Sequence, residues 1–112
     1  MYESIFGHRR MLADRVRMTA YQKAIREIVK DGDVVADIGT GSGVLAFFAI
    51  QAGASKVFAI ESNEIIEDAE RLARINGLEE KVVFIHGESD QVDLPEKVDV
   101  IISEIIGEFG LE

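Results

Sequence analysis

Apolar positions along this chain change period several times, and the changes mark out alternating helices and strands. Over residues 9–30, Met11, Leu12, Val16, Ala20, Ile25, Ile28 and Val29 recur at roughly helical spacing, while Arg9, Arg10, Arg15, Lys23 and Arg26 take much of the other face. That spacing predicts an amphipathic helix. Asp31-Gly32-Asp33 reads as its stop and a turn. Val34 to Ile38 is a short apolar run between turn signals, hence a buried strand, and Gly39-Thr40-Gly41-Ser42-Gly43 is a glycine loop. Val44 to Ala52 is apolar nearly all round and predicts a buried helix ending at Gly53. Val57 to Ile60 is a second strand. Glu64 to Asn76 is a helix with Ile66, Ala69, Leu72, Ala73 and Ile75 apolar and Gly77 as its left-handed stop. Val82 to Ile85 is a third strand. Val98 to Ile102 is a fourth, apolar at nearly every position, as a strand covered on both faces would be. The stretch from His86 to Lys97 suits a short helix or a loop equally.

Strands that alternate with helices imply right-handed crossovers and a mostly parallel sheet. The fold class is therefore α/β, the front half of a doubly wound sheet. A length of 112 residues allows one domain, 1–112, in which Leu111-Glu112 reads as a tag remnant. Hydrophobic residues make up 47% of the chain, too many for a disordered segment. Lys and Arg number 12 against 21 Asp and Glu, a net charge of −9. That balance argues against nucleic acid and against an anionic membrane surface as partners. The absence of Cys excludes a disulfide framework, a thiol nucleophile and a zinc-thiolate centre, and no metal site is expected. No apolar run approaches the ~20 residues that span a bilayer. Met1-Tyr2-Glu3-Ser4-Ile5 lacks the basic start and apolar stretch of a signal peptide, so the expected location is cytoplasmic.

The glycine loop carries the candidate chemistry. It leaves the first strand and opens a helix, the place where doubly wound sheets bind ligands. Glu61 follows Gly41 by twenty residues, at the end of the second strand, where a carboxylate can accept from both hydroxyls of a ribose. A dinucleotide fingerprint wants Gly or Ala at position 44, and Val44 stands there. No Lys lies in the loop, so it is not a P-loop. Asp37, two residues before Gly39, would repel a pyrophosphate and suit a ligand with an ammonium and a sulfonium, as S-adenosylmethionine has. Two plainer readings stand beside these: Asp37 as a cap for the loop, and Glu61 as a solvated strand end.

The run Val34-Val35-Ala36-Asp37-Ile38-Gly39-Thr40-Gly41-Ser42-Gly43-Val44-Leu45 resembles motif I of class I S-adenosylmethionine-dependent methyltransferases. Its surroundings narrow the resemblance to the cofactor-binding half of the protein arginine N-methyltransferases. His8-Arg9-Arg10-Met11-Leu12-Ala13-Asp14-Arg15-Val16-Arg17, followed by Tyr21, is similar to the first helix of that family. Ala52 to Glu61 resembles its passage into the ribose acid, and Val98 to Gly107 its Val-Asp-x-Ile-x-Ser-Glu-x-x-Gly segment. The match is collinear over about residues 5 to 110.

The resemblance implies a Rossmann-like methyltransferase fold, S-adenosylmethionine as cofactor, and a protein or peptide substrate bearing arginine. By position it implies that Arg17 pairs with the methionine carboxylate, that Asp37, Gly39 and Gly41 line the amino acid part, and that Glu61 takes the ribose hydroxyls. Asp90, with Ser89 beside it, would accept from the adenine amino group. Met11 would lie near the sulfonium, and Glu104 would hold and polarise the substrate guanidinium as the catalytic carboxylate. Plainer roles remain open for each: a solvated helix charge for Arg17, core filling for Met11, a solvated acid for Asp90, a terminal surface residue for His8, and a cap on the following segment for Glu104. The family's second glutamate would fall one place beyond Glu112, and Ile105, Ile106 and Glu108 replace family residues commonly Trp, Met and Tyr, so the substrate side differs. The alternatives to an arginine methyltransferase are transfer to another amine or a ribosomal protein, and a non-catalytic cofactor-binding module completed by a partner chain. An exposed edge beside the fourth strand would favour a homo-oligomer.

Overall fold

A computed structural model describes the backbone of residues 2–103 and the side chains of residues 15–103. The elements run α1 (Tyr2–Ile28), β1 (Val34–Ile38), α2 (Val44–Gln51), β2 (Lys56–Glu61), α3 (Ile66–Ile75), β3 (Val82–His86) and β4 (Val100–Ser103), with one 3-10 turn at Ser89–Gln91. The strands form a single sheet in the order β3-β2-β1-β4. All three pairings are parallel, so every neighbour is reached by a crossover. Placing β1 and β2 in the middle follows from their sequences. Val35, Ala36 and Asp37 of β1 and Val57, Phe58, Ala59 and Ile60 of β2 are all buried, as uninterrupted short-side-chain and branched runs at a sheet centre should be.

One face of the sheet carries the core. Val35, Val57, Ala59 and Val82 pack there with Leu45, Ala46 and Ala49 of α2 and with Ile25 and Val29 from the end of α1. Helix α2 is apolar nearly all round: Leu45, Ala46 and Ala49 are buried, Val44, Phe47, Phe48 and Ile50 are half-buried, and only Gln51 at its end is exposed. Across the other face, the cross-strand row Val83, Phe58, Ala36, Ile101 shows how cover is distributed. Phe58 and Ala36 are buried in the middle, whereas Val83 on one edge is 40% exposed and Ile101 on the other is 64% exposed. The segment from β3 back to β4 half-buries Val92, Leu94 and Val98, and Glu96 there meets Lys56 at 2.9 Å. Asp99 fixes the β1–β4 register from its first rung: its N–H donates to the Val34 carbonyl (2.7 Å) and its Oδ2 accepts from the Val34 N–H (2.8 Å).

Two expectations need correction. The fourth strand starts at Val100 rather than Val98, and it is covered on one face only, its residues alternating between half-buried and exposed. Its nearly continuous apolar run therefore does not report double cover among the described residues. Among its described side chains the first helix does not lay a continuous apolar stripe along the body. It spans 2–28, and among its described side chains, from Arg15 on, burial is confined to the last turns: Ile25, and Val29 just past its end, are buried, while Val16 is 70% exposed and Ala20 and Ile28 are also exposed. The physical reason is length. At ~1.5 Å per residue a 27-residue helix outruns the eight-residue α2 on which it rests. The stretch between β3 and β4 holds only the short 3-10 turn. Among the described residues no helix is long and apolar enough to cross a membrane.

The uneven cover of the second face has a measurable outcome. Phe58→Ala should lower unfolding stability in urea by about 3–5 kcal/mol, as for a fully enclosed aromatic. Ile101→Ser should change it by no more than about 0.5 kcal/mol.

Candidate functional site

A parallel sheet delivers the carboxyl ends of its strands to one side, and here the ends of β1, β2 and β3 meet in a cleft of ≈ 160 Å³. Ile38 and Gly39 enter it from β1, Ile60, Glu61 and Ser62 from β2, and Gly87, Glu88 and Ser89 from the segment after β3. The glycine loop is pinned to β2 by its own backbone. The N–H groups of Gly39 and Thr40 both donate to the Ile60 carbonyl, at 2.8 and 2.9 Å, and Gly43 N–H closes a turn on the Thr40 carbonyl at 2.8 Å. This path requires positive φ at Gly39 (72°) and Gly41 (56°), where a side chain would be strained. No atom lies within 4 Å of where a Cβ would sit on either residue, so both present bare backbone to open space.

Glu61 ties the loop to the next turn. Its Oε1 accepts from the Gly41 N–H at 2.8 Å and its Oε2 from the Asn63 N–H at 3.0 Å. Each carboxylate oxygen has two lone pairs, so one acceptor position on each remains for a hydroxyl in the cleft. The sequence left Glu61 open as a solvated strand end. The structure instead makes it the acceptor of a glycine-loop amide, the task that seemed suited to Asp37. Asp37 is wholly buried beneath the loop, and its Oδ2 accepts from the Thr40 hydroxyl at 2.6 Å.

The sequence-derived site residues thus fall into three groups. Gly39, Glu61 and Ser89 line the cleft, with Gly41 one hydrogen bond away and Asp37 under the loop. Asp90 is exposed on the 3-10 turn beside Ser89, and Arg17 is exposed on α1. Met11 lies on α1 but its side chain is outside the described residues, as is the whole of Glu104. Thr40, Ser62 and Glu88 were not singled out from the sequence. A hydroxyl three residues after a buried acid, inside a glycine loop, is the one signal that could have found Thr40. The other two needed the third dimension, because only the β2–β3 pairing brings them together.

Electrostatically the cleft is negative. Glu61 and Glu88 are among its walls, and none of the described residues lining it is Lys, Arg or His. Such a site repels phosphates and attracts cations. Its volume is below the ~300–1,000 Å³ of pockets that enclose a whole ligand, so the described residues embrace part of one. Among the described residues no group of His, Cys, Asp and Glu is arranged to hold a metal ion. The donor set fits a nucleoside: bare glycine backbone, a carboxylate with spare lone pairs, and apolar Ile38 and Ile60.

Comparison with known proteins agrees. Residues 19–109 match the model of the family described as ribosomal protein L11 methyltransferase (PrmA). The chain is 48% identical over 112 residues to a protein arginine N-methyltransferase, PRMT10, of Oryza sativa subsp. japonica, covering 98% of this chain and 30% of that protein. The crystal structure of protein arginine methyltransferase 10 of Arabidopsis thaliana, in a uniquely open conformation, superposes with a TM-score of 0.80 at 45% identity, covering 91% of this chain and 30% of that one. The Trypanosoma brucei PRMT1 enzyme–prozyme heterotetrameric complex with AdoHcy gives a TM-score of 0.81 at 37% identity, with 91% and 33% covered. The chain therefore spans about a third of the length of these relatives.

The Asp37–Thr40 contact generates a stability test. Thr40→Val keeps the shape but removes the hydroxyl donor from a buried carboxylate, and should cost about 1–3 kcal/mol in urea unfolding. Thr40→Ser, which keeps the donor, should recover most of that loss.

Proposed function

The chain belongs to the ribosomal protein L11 methyltransferase (PrmA) family, among the class I S-adenosylmethionine-dependent methyltransferases, and on that premise we propose that its cleft binds S-adenosylmethionine for methyl transfer to arginine in a protein or peptide substrate. The observation that carries the reading is Glu61. Its carboxylate is aimed by two backbone amides, faces the cleft and keeps acceptor capacity for two ribose hydroxyls. The relatives named above support arginine as the acceptor.

The cofactor, when bound, supplies a methyl group already activated on a sulfonium. What remains for the chain is binding and orientation. In this proposal Gly39 and Gly41 let backbone approach the methionine part, Asp37 sets the negative potential beneath it, and Glu61 reads the ribose. Ser89 and Asp90 would hold the adenine, Arg17 would pair with the carboxylate, and Met11 would serve the sulfonium end. Glu104 orients the guanidinium and offsets its charge during attack, the one catalytic role. The acidic cleft suits a cationic donor and a cationic acceptor alike. Two further features of the proposal are a cytoplasmic setting and self-association, the latter supported by the uncovered Ile101 on β4. A second reading, transfer to a ribosomal protein, is favoured by the description of the family model.

Calorimetry tests the cofactor. S-adenosylmethionine and S-adenosylhomocysteine should bind, and Glu61→Ala should weaken both about ten- to a hundredfold, the range for a lost charged hydrogen bond. No heat with either ligand, together with unmoved amide signals from Gly39 to Gly43 and at Glu61, overturns the reading. Label from the methyl donor should appear in an arginine-rich peptide rather than in ribosomal protein L11. The reverse selects the second substrate, and binding without transfer to either makes the chain a non-catalytic cofactor module.

A further inference from the structure

We infer that His86 is a positioning residue for the ribose-reading carboxylate, and that it sets how sharply the cleft separates a ribose from a 2′-deoxyribose. This rests on the nucleoside reading of the cleft.

His86 is the last residue of β3 and pairs in register with Glu61, the last of β2. Beyond that rung Gly87 N–H still donates to the Glu61 carbonyl at 2.9 Å, but Ser62 lies past the end of β2. The carbonyl of Ser62 is met instead by His86 Nε2, at 3.1 Å. A carbonyl oxygen only accepts, so this contact requires the proton on Nε2.

The Ser62 carbonyl and the Asn63 N–H are the two ends of one planar peptide group. His86 holds the oxygen end. The nitrogen end donates to Glu61 Oε2 at 3.0 Å, and the other carboxylate oxygen takes Gly41 N–H at 2.8 Å. The contacts therefore form a relay from imidazole to peptide to carboxylate to glycine loop. Each hydrogen bond polarises the next, and none of the groups can rotate without breaking a link. Without the imidazole, the Ser62–Asn63 peptide is free to tilt, and the carboxylate loses the fixed amide that aims it. The lone pairs left for hydroxyls then lose their direction. The penalty is largest for ligands that have both hydroxyls and smaller for a 2′-deoxy ligand, which keeps only one.

The test compares the chain with His86→Ala and with His86→Gln, whose side-chain amide can donate to the same carbonyl. Without ligand, hydrogen exchange at the Asn63 and Gly41 amides should quicken about tenfold in His86→Ala while the Ala59 amide holds its rate, and His86→Gln should return toward the original values. With ligand, the preference for S-adenosylhomocysteine over its 2′-deoxy analogue should shrink several-fold in His86→Ala and recover in His86→Gln. Unchanged exchange at Asn63, or equal weakening of both ligands, overturns the inference. If the unaltered chain binds neither ligand, the nucleoside reading falls together with the claim about discrimination, while exchange still decides whether His86 positions Glu61. Nitrogen chemical shifts of the unaltered chain need no variant: the neutral ring should be protonated at Nε2, and an Nδ1–H tautomer sinks the relay.

Discussion

The carboxylate of Glu61 is held between two backbone amides that belong to different crossovers, and the geometry of the cleft depends on that grip. Gly41 lies in the loop after β1 and Asn63 in the turn after β2. Each loop has contacts of its own, Thr40 on Asp37 in the first and the Ile65 N–H on Asn63 Oδ1 in the second, and Glu61 is the side chain that joins them. The glycine loop gives up rigidity in return for bare backbone, and its Gly41 amide would otherwise find only water. The carboxylate reaches it because β1 and β2 are in register to their last rung, Ile38 beside Ile60. A slip of one residue would turn Glu61 to the other face of the sheet and leave the loop without its anchor. Register in the core and recognition in the cleft are one constraint seen from two ends.

Cover on the sheet explains where that constraint is firm. The two strands that frame the cleft are the central ones, with Val35, Val57 and Ala59 enclosed by α1 and α2 on one side and Ala36 and Phe58 buried on the other. Burial of a side chain such as Phe58 contributes roughly 1.5–3 kcal/mol, so the strand ends that carry Gly39 and Glu61 rise from the best-packed part of the molecule. The edges are looser. Val83 and Ile101 keep much of their surface in solvent, and among the described side chains of α1 only Ile25, near its end, is fully buried. Ligand recognition is thereby mounted on the stiff centre.

Much of this was legible in the sequence. Short apolar runs between polar or glycine-bearing turns located β1, β2 and β3 to within a residue, and for the central β1 and β2 the reason is that a strand buried on both faces has few other ways to be written. The glycine loop with a distant acid located the cleft for the same reason: positive φ and a carboxylate at the next strand end leave residue-level marks. What failed was inference about cover. Val16 and Ala20 have helical spacing and are exposed, since periodicity shows which face could be buried and not how far the body extends. Ile101 sits in an apolar run and is exposed for the same reason. The Thr40 hydroxyl, which meets Asp37 three residues back, leaves no mark in the hydrophobic period, and the imidazole that reaches the Ser62 carbonyl was hidden because such a contact depends on where neighbouring strand ends fall.

The packed rungs and the cleft-lining residues occupy the same strands in succession: Val57 and Ala59 hold the core, and Glu61 and Ser62, just beyond, meet the cleft. β3 repeats the plan, with Val82 inside and Gly87, Glu88 and Ser89 at the rim. Substitution at Ser62, Glu88 or Ser89 can therefore change what the cleft accepts while leaving the packed rungs intact. Innovation and heritable robustness are separated by two or three rungs of ladder, which makes such a sheet a durable chassis for diversification.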